Sequence, residues 1–279
     1  MTKFCISALR LSTMALLLAA TLLSFGQRPG DLVISPTRVL LDEHGTSSDL
    51  TLLNRGLRPV RYRLSLVDMD MSEEGILHRV DGNSPVSATN ILRLSPREIV
   101  LAPGVSQRIR IAVFFPPDQK DGELRSHLVF EPITANARNQ TLNSESGPQL
   151  RISFEFRSVV SIPVLVRHGR LGAATTLSEA SLTHESGTWT AKVKLNRSGN
   201  RSVRGNLTAT FVSLDGARRV ELGQIAGLAV YFPNTDRTID LKLEKDLSTL
   251  GKGRVEIQFS ELDKSRGSAE AKAEIAAPG

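Results

Sequence analysis

The sequence predicts an all-β protein built as two β-sandwiches, and three observations predict it. From Asp31 onward nearly every segment has strand length and strand composition, bounded by Gly, Pro, Asn or Ser. No segment there carries the 3.6-residue apolar period of an amphipathic helix. The strands also fall into two series, which break at His168-Gly169. With 279 residues, 40% of them hydrophobic, the chain can fill two cores of ordinary domain size.

Residues 1–26 stand apart from this pattern. Lys3 and Arg10 accompany an apolar run from Leu11 to Leu23, and Ser24-Phe25-Gly26 offers small residues where a signal peptidase reads. The run is short for a membrane span, and polar, Pro-containing sequence follows it. We read a cleaved secretory signal with Gln27 as the mature N-terminus and no membrane span thereafter.

The first series occupies residues 27–168. Leu32-Val33-Ile34 and Val39-Leu40-Leu41 flank Pro36, which a strand tolerates at an edge or a kink. Asp49 to Leu53 alternates and stops at the turn Asn54-Arg55-Gly56. Val60 to Val67 follows, and Asp68 to Gly75 reads as an acidic turn. Leu101-Ala102-Pro103-Gly104 is a further turn, before alternating basic and apolar residues from Arg108 to Phe115. Leu124 to Phe130 is the next strand, Thr134 to Gly147 a polar mobile loop, and Leu150 to Arg167 a long final strand. Seven or so short strands with regular turns describe an immunoglobulin-like sandwich.

The second series, residues 169–279, is smaller. Ser181-Leu182, Trp189 to Leu195, Gly205 to Leu214, Arg219 to Leu222, Thr238 to Leu243 and Gly253 to Phe259 read as strands. The Ala-, Lys- and Glu-rich end reads as a frayed tail.

Composition excludes several functions. The only cysteine, Cys5, lies inside the signal, so the mature chain has neither thiol chemistry nor disulfides. Signal cleavage removes Lys3 and Arg10 and lowers the formal charge from +6 to +4. Arg and Lys are scattered and aromatics make up only 5%, which argues against nucleic-acid binding. A modest basic excess suits carboxylate capture or an anionic membrane surface. The five histidines lack metal-ligand spacing, phosphate-cradling glycine loops are absent, and Ser126-His127 would face opposite ways on a strand. We therefore expect no catalytic residues, no metal and no cofactor, and hence no enzyme.

The most informative stretch is LRISFEFR, where Leu150, Ile152, Phe154 and Phe156 alternate with Arg151, Ser153, Glu155 and Arg157. Successive strand side chains point to opposite faces, so the apolar four form one stripe. Such a stripe either packs its own sandwich or serves as a donor strand for a partner that lacks one.

The order of Val33-Ile34-Ser35-Pro36-Thr37-Arg38-Val39, Asn54-Arg55-Gly56, Leu101-Ala102-Pro103-Gly104, Gln107-Arg108-Ile109-Arg110, Asp121-Gly122-Glu123 and Val164-Leu165-Val166-Arg167 resembles the periplasmic pilus-assembly chaperones of the PapD type. The resemblance covers nearly all of the first domain and only the size and strand rhythm of the second. It implies two immunoglobulin-like domains in an L shape, in the periplasm. The chain would cap pilus or fimbrial subunits by donor-strand complementation and deliver them to an outer-membrane usher. The alternative is a periplasmic immunoglobulin-like binding or structural module with no pilin client.

The resemblance also implies roles for residues. Leu150, Ile152, Phe154 and Phe156 match the donor stripe, and Arg38 matches the arginine that grips the subunit's terminal carboxylate. The second basic residue of that anchor falls at Pro163, a departure from the pattern, and Arg157 is the candidate substitute. Glu123 and Arg167 match an ion pair at the domain junction, with Asp246 as a third member.

Overall fold

A computed structural model describes residues 31–80, 84–133, 158–263 and 269–278. Eighteen strands and one short 3-10 turn, Leu247–Thr249, make up its regular structure. The signal and the stretch from Thr134 to Arg157, with its apolar alternation, lie outside the described residues.

The first sandwich contains β1 (Leu32–Ser35), β2 (Val39–Leu41), β3 (Ser47–Asn54) and β4 (Val60–Val67). After a hairpin of β5 (Met69–Met71) and β6 (Leu77–Arg79) come β7 (Leu92–Ser95), β8 (Glu98–Leu101), β9 (Ser106–Val113), β10 (Gly122–Ile133) and β11 (Val160–His168). One sheet runs β1-β3-β9-β7 and the other β2-β11-β10-β4-β8. Pro36 separates β1, which pairs with β3, from β2, which pairs in parallel with β11. A proline lacks the N–H that a central ladder needs, so it suits the point where the chain changes sheets. Leu50, Leu52, Ile109, Ile111, Leu128, Phe130 and Val164, all essentially inaccessible, pack between the sheets. Fully burying such a side chain is worth ~1.5–3 kcal/mol, and this alternation holds the sheets face to face.

The second sandwich comprises β12 (Ala173–Glu185), β13 (Thr188–Gly199), β14 (Val203–Ser213), β15 (Arg219–Val230), β16 (Asp236–Lys242), β17 (Gly253–Glu261) and β18 (Glu270–Ala277). Its sheets run β12-β13-β16 and β15-β14-β17-β18, closed over Val193, Leu195, Leu207, Phe211, Ile257 and Phe259. The two sandwiches have separate cores. Gly169 joins them with φ +67, a left-handed backbone conformation that favours glycine.

Two sequence expectations are corrected. The acidic segment from Asp68 to Gly75 is not one turn, because Met69–Met71 is paired in register with Leu77–Arg79. Asp68 is no solvated carboxylate either, since its Oδ1 accepts a 2.7 Å bond from the Ser126 hydroxyl inside the first sandwich. The C-terminal tail is not frayed. Glu270–Ala277 forms an edge strand on β17 with eight register pairs, burying Ala271. Alanine has little strand propensity of its own, so this strand depends on the free edge that β17 offers.

Candidate functional site

β10 carries two different faces. Leu128 and Phe130 point into the sandwich core, while Glu123, Arg125 and His127 point the other way. On an ordinary sandwich that second face meets water. Here the second domain covers it, and Glu123, Arg125 and His127 are each at most 3% exposed.

At one end of this face is a charge network. Glu123 Oε2 accepts from Arg167 Nε at 2.9 Å, directly across the β10–β11 ladder where these residues are register partners. Arg167 Nη1 donates to Asp263 of the second sandwich, and its Nη2 donates to the Ser202 carbonyl at 3.4 Å. Glu123 Oε1 accepts from both the Ser202 hydroxyl and its backbone N–H, and the Glu123 N–H donates to the Asn200 carbonyl at 3.1 Å. Burial opposes the Arg167 charge, but Glu123 and Asp263 outweigh it and hold its pKa above the ordinary arginine value. Asp246 has no part in this. It caps the 3-10 turn through Ser248 N and accepts from Trp189 Nε1, so Asp263, not Asp246, is the third member beside Glu123 and Arg167.

A second attachment lies beyond the network. The β5–β6 hairpin reaches the second domain, where Glu73 O accepts from Thr238 N at 2.7 Å and Met71 O accepts from Asn234 Nδ2 at 2.6 Å. Met71 packs with Ala229 and Tyr231 in a small apolar cluster between the sandwiches.

Arg38 lies on the outer face immediately before β2. The parallel pairing of Val39 with Val164 brings Arg38 level with Pro163, and Pro163 is in turn the register partner of His127. Arg38 is half-buried, and its Nε has no hydrogen-bond partner among the described residues. Desolvation lowers its pKa, against the attraction of Glu123 and Tyr231. Leu150, Ile152, Phe154, Phe156 and Arg157 lie outside the described residues.

Sequence reasoning missed Arg125, Ser202, Tyr231 and Asp263. The guanidinium of Arg125 stacks over the Tyr231 ring at 4.4 Å, and the ring stands edge-on to His127 at a centroid distance of 6.2 Å. A signal for Arg125 was available, since it shares a face with Glu123 two residues earlier. Burial and the nearby Arg125 charge push His127 down to about 4, so its imidazole is neutral at pH 7. The unfolded chain therefore takes up a proton near pH 6.5, which the folded protein resists until about pH 4. This contribution is fully present above pH 6.5 and is lost as pH falls towards 4, amounting to roughly 3 kcal/mol. Urea melts of His127→Phe against the native chain should show a shallower loss of stability across that window.

No family model matches the chain, and no curated protein does. Among solved structures, it is similar to the YadV chaperone at 15% identity and a TM-score of 0.45, covering 88% of this chain and 100% of that one. It is similar to the SafB chaperone of Salmonella enterica in complex with the SafA pilin, at 14% identity and a TM-score of 0.45 over 90% of this chain and 99% of that one. The E. coli chaperone DraB gives 14% identity and a TM-score of 0.44 over 88% and 95%.

Proposed function

We propose that this chain is a periplasmic, non-enzymatic chaperone of pilus or fimbrial subunits. It caps them by donor-strand complementation and hands them to an outer-membrane usher. The observation that carries this reading is the cleft between the sandwiches, where Arg38 brings a guanidinium nitrogen that lacks a partner. A guanidinium in such a cleft grips a carboxylate through charge-assisted, often paired hydrogen bonds, which fix register as well as adding affinity. In this reading the cleft holds the subunit's chain terminus, and the stripe of Leu150, Ile152, Phe154 and Phe156 fills the subunit's open groove. Four such side chains supply roughly 6–12 kcal/mol gross before ordering costs. Glu123 and Arg167 hold the two sandwiches in the geometry that forms the cleft. Among the described residues no group of His, Cys, Asp or Glu is arranged to hold a metal ion.

Affinity purification of the tagged protein from periplasm should recover a small β-rich exported protein. Arg38→Ala should weaken that complex by about 2–5 kcal/mol while thermal stability moves far less. Clients lacking their terminal carboxylate should bind the variant and the native chain alike. Equal loss on removing the carboxylate from both would show that the two groups do not meet. Failure to recover any exported β protein would remove the chaperone reading.

A further inference from the structure

We infer that Arg125 supplies the second arm of the carboxylate anchor, from β10 rather than from β11, with Tyr231 of the second domain holding it in wait. The inference rests on the chaperone reading for its ligand and on the geometry of the cleft for its residues.

Pro163 removes any side-chain cation from the β11 position beside Arg38. The adjoining strand offers the replacement. Arg125 is on the outer face of β10, two residues from His127, which is the direct partner of Pro163. Its side chain is inside the cleft, and only one of its three nitrogens is used, Nη2 donating to Met69 O at 2.7 Å. Nε and Nη1 are buried and lack partners, as are both ring nitrogens of His127 and Nε of Arg38. A neutral imidazole has one donor nitrogen and one acceptor nitrogen, so this face holds four buried donors without partners, three of them on guanidinium groups. Buried donors in a folded protein nearly always find acceptors, so these call for an acceptor that comes from outside.

The charge balance points the same way. Arg167 is met by Glu123 and Asp263, and Arg201 by Glu261. Arg38 and Arg125 form no ion pair of their own among the described residues, and Tyr231 lies within electrostatic range of both. Glu123 attracts each of them, and Asp68 and Asp70 attract Arg125, but none touches it. The cleft therefore has room in its charge balance for one anion. The Tyr231 ring, stacked on Arg125, keeps the guanidinium extended towards the cleft while no anion is bound. Arg38 is the more accessible of the two and makes the first contact. The carboxylate reaches Arg125 as the ring tilts aside.

Arginine side-chain NMR tests this directly, by following the Nε–Hε resonances of Arg38 and Arg125 in the full mature chain. The probes are N-acetyl-Leu-Gly with a free carboxylate, the same dipeptide as its amide, and N-acetyl-aspartate amide. The free carboxylate should move both resonances saturably and the amide neither. Arg125→Lys should weaken the response of Arg38 at least tenfold. An Arg125 resonance that stays still while Arg38 responds overturns the inference, and that readout on the native chain holds even if Arg125→Lys fails to fold. A response confined to the aspartate side chain overturns it too, because the ligand would not be a chain terminus. Capture of subunits by a chain whose Arg125 ignores carboxylates would keep the proposed function and end this inference. A terminal-carboxylate response without subunit capture would do the reverse.

Discussion

Arg167→Ala should destabilise the protein by about 3–5 kcal/mol and loosen the two sandwiches from one another. The Arg167 and Glu123 side chains are 7% and 1% exposed, so removing the guanidinium strands a carboxylate away from water. The loss is not confined to one pair, because Arg167 also bonds Asp263 and the Ser202 carbonyl across the junction. Chemical denaturation should show the lower stability, and small-angle scattering should show a broader spread of domain separations. The internal control is Arg61, whose pair with Glu98 is 57% and 37% exposed. Arg61→Ala should cost less than about 1 kcal/mol, since water screens an exposed pair and already solvates both ions. Equal effects of the two substitutions would mean that the junction network holds nothing.

Phe154→Arg or Phe156→Arg should abolish subunit capture while leaving the rest of the chain folded. On the proposed donor-strand mechanism, each would replace ~1.5–3 kcal/mol of apolar burial with a charge that an apolar groove can neither pair nor hydrate. Circular dichroism of the purified variants and co-purification of the subunit separate the two effects. Variants that are themselves unfolded would assign the stripe to the protein's own core, and donor-strand complementation would be lost as the mechanism.

Much of the strand order was legible because its signals are local. The alternation of Ser47–Asn54 and Ser106–Val113 marks each strand without reference to its neighbours, and Pro36 marks the change of sheet. β18 was not legible, since its alanines become a strand only where β17 leaves an edge unpaired. The junction shows the same division. Glu123 and Arg167 stand in segments whose order resembles a known pattern, but Asp263 is 96 residues from Arg167 and Ser202 is 79 from Glu123. Neither carries a local mark, and Asp246, which the resemblance suggested as third member, caps a 3-10 turn instead. Arg125 and His127 illustrate a further limit. A polar residue alternating with apolar ones reads as solvent-facing, and only the covering Tyr231 turns that face into an interior.

The covered face of β10 has a consequence for how the chain comes into being. A polypeptide emerges N-terminus first, whether from the ribosome or across a membrane, so the first sandwich can close before β14 and Tyr231 follow to shield it. During that interval Glu123, Arg125 and His127 meet water, and His127 titrates like any accessible imidazole. Docking of the second sandwich then dehydrates three polar side chains at once, and Ser202, Asp263 and Tyr231 arrive together to offset that cost. The halves are consequently separate in their cores but not in their assembly. The last step of maturation is an association between two parts of one molecule, held at high effective concentration by the short link through Gly169. A nascent chain arrested before Ser202 would be a compact sandwich with a wet, cationic flank, and the cleft would come into existence only on release.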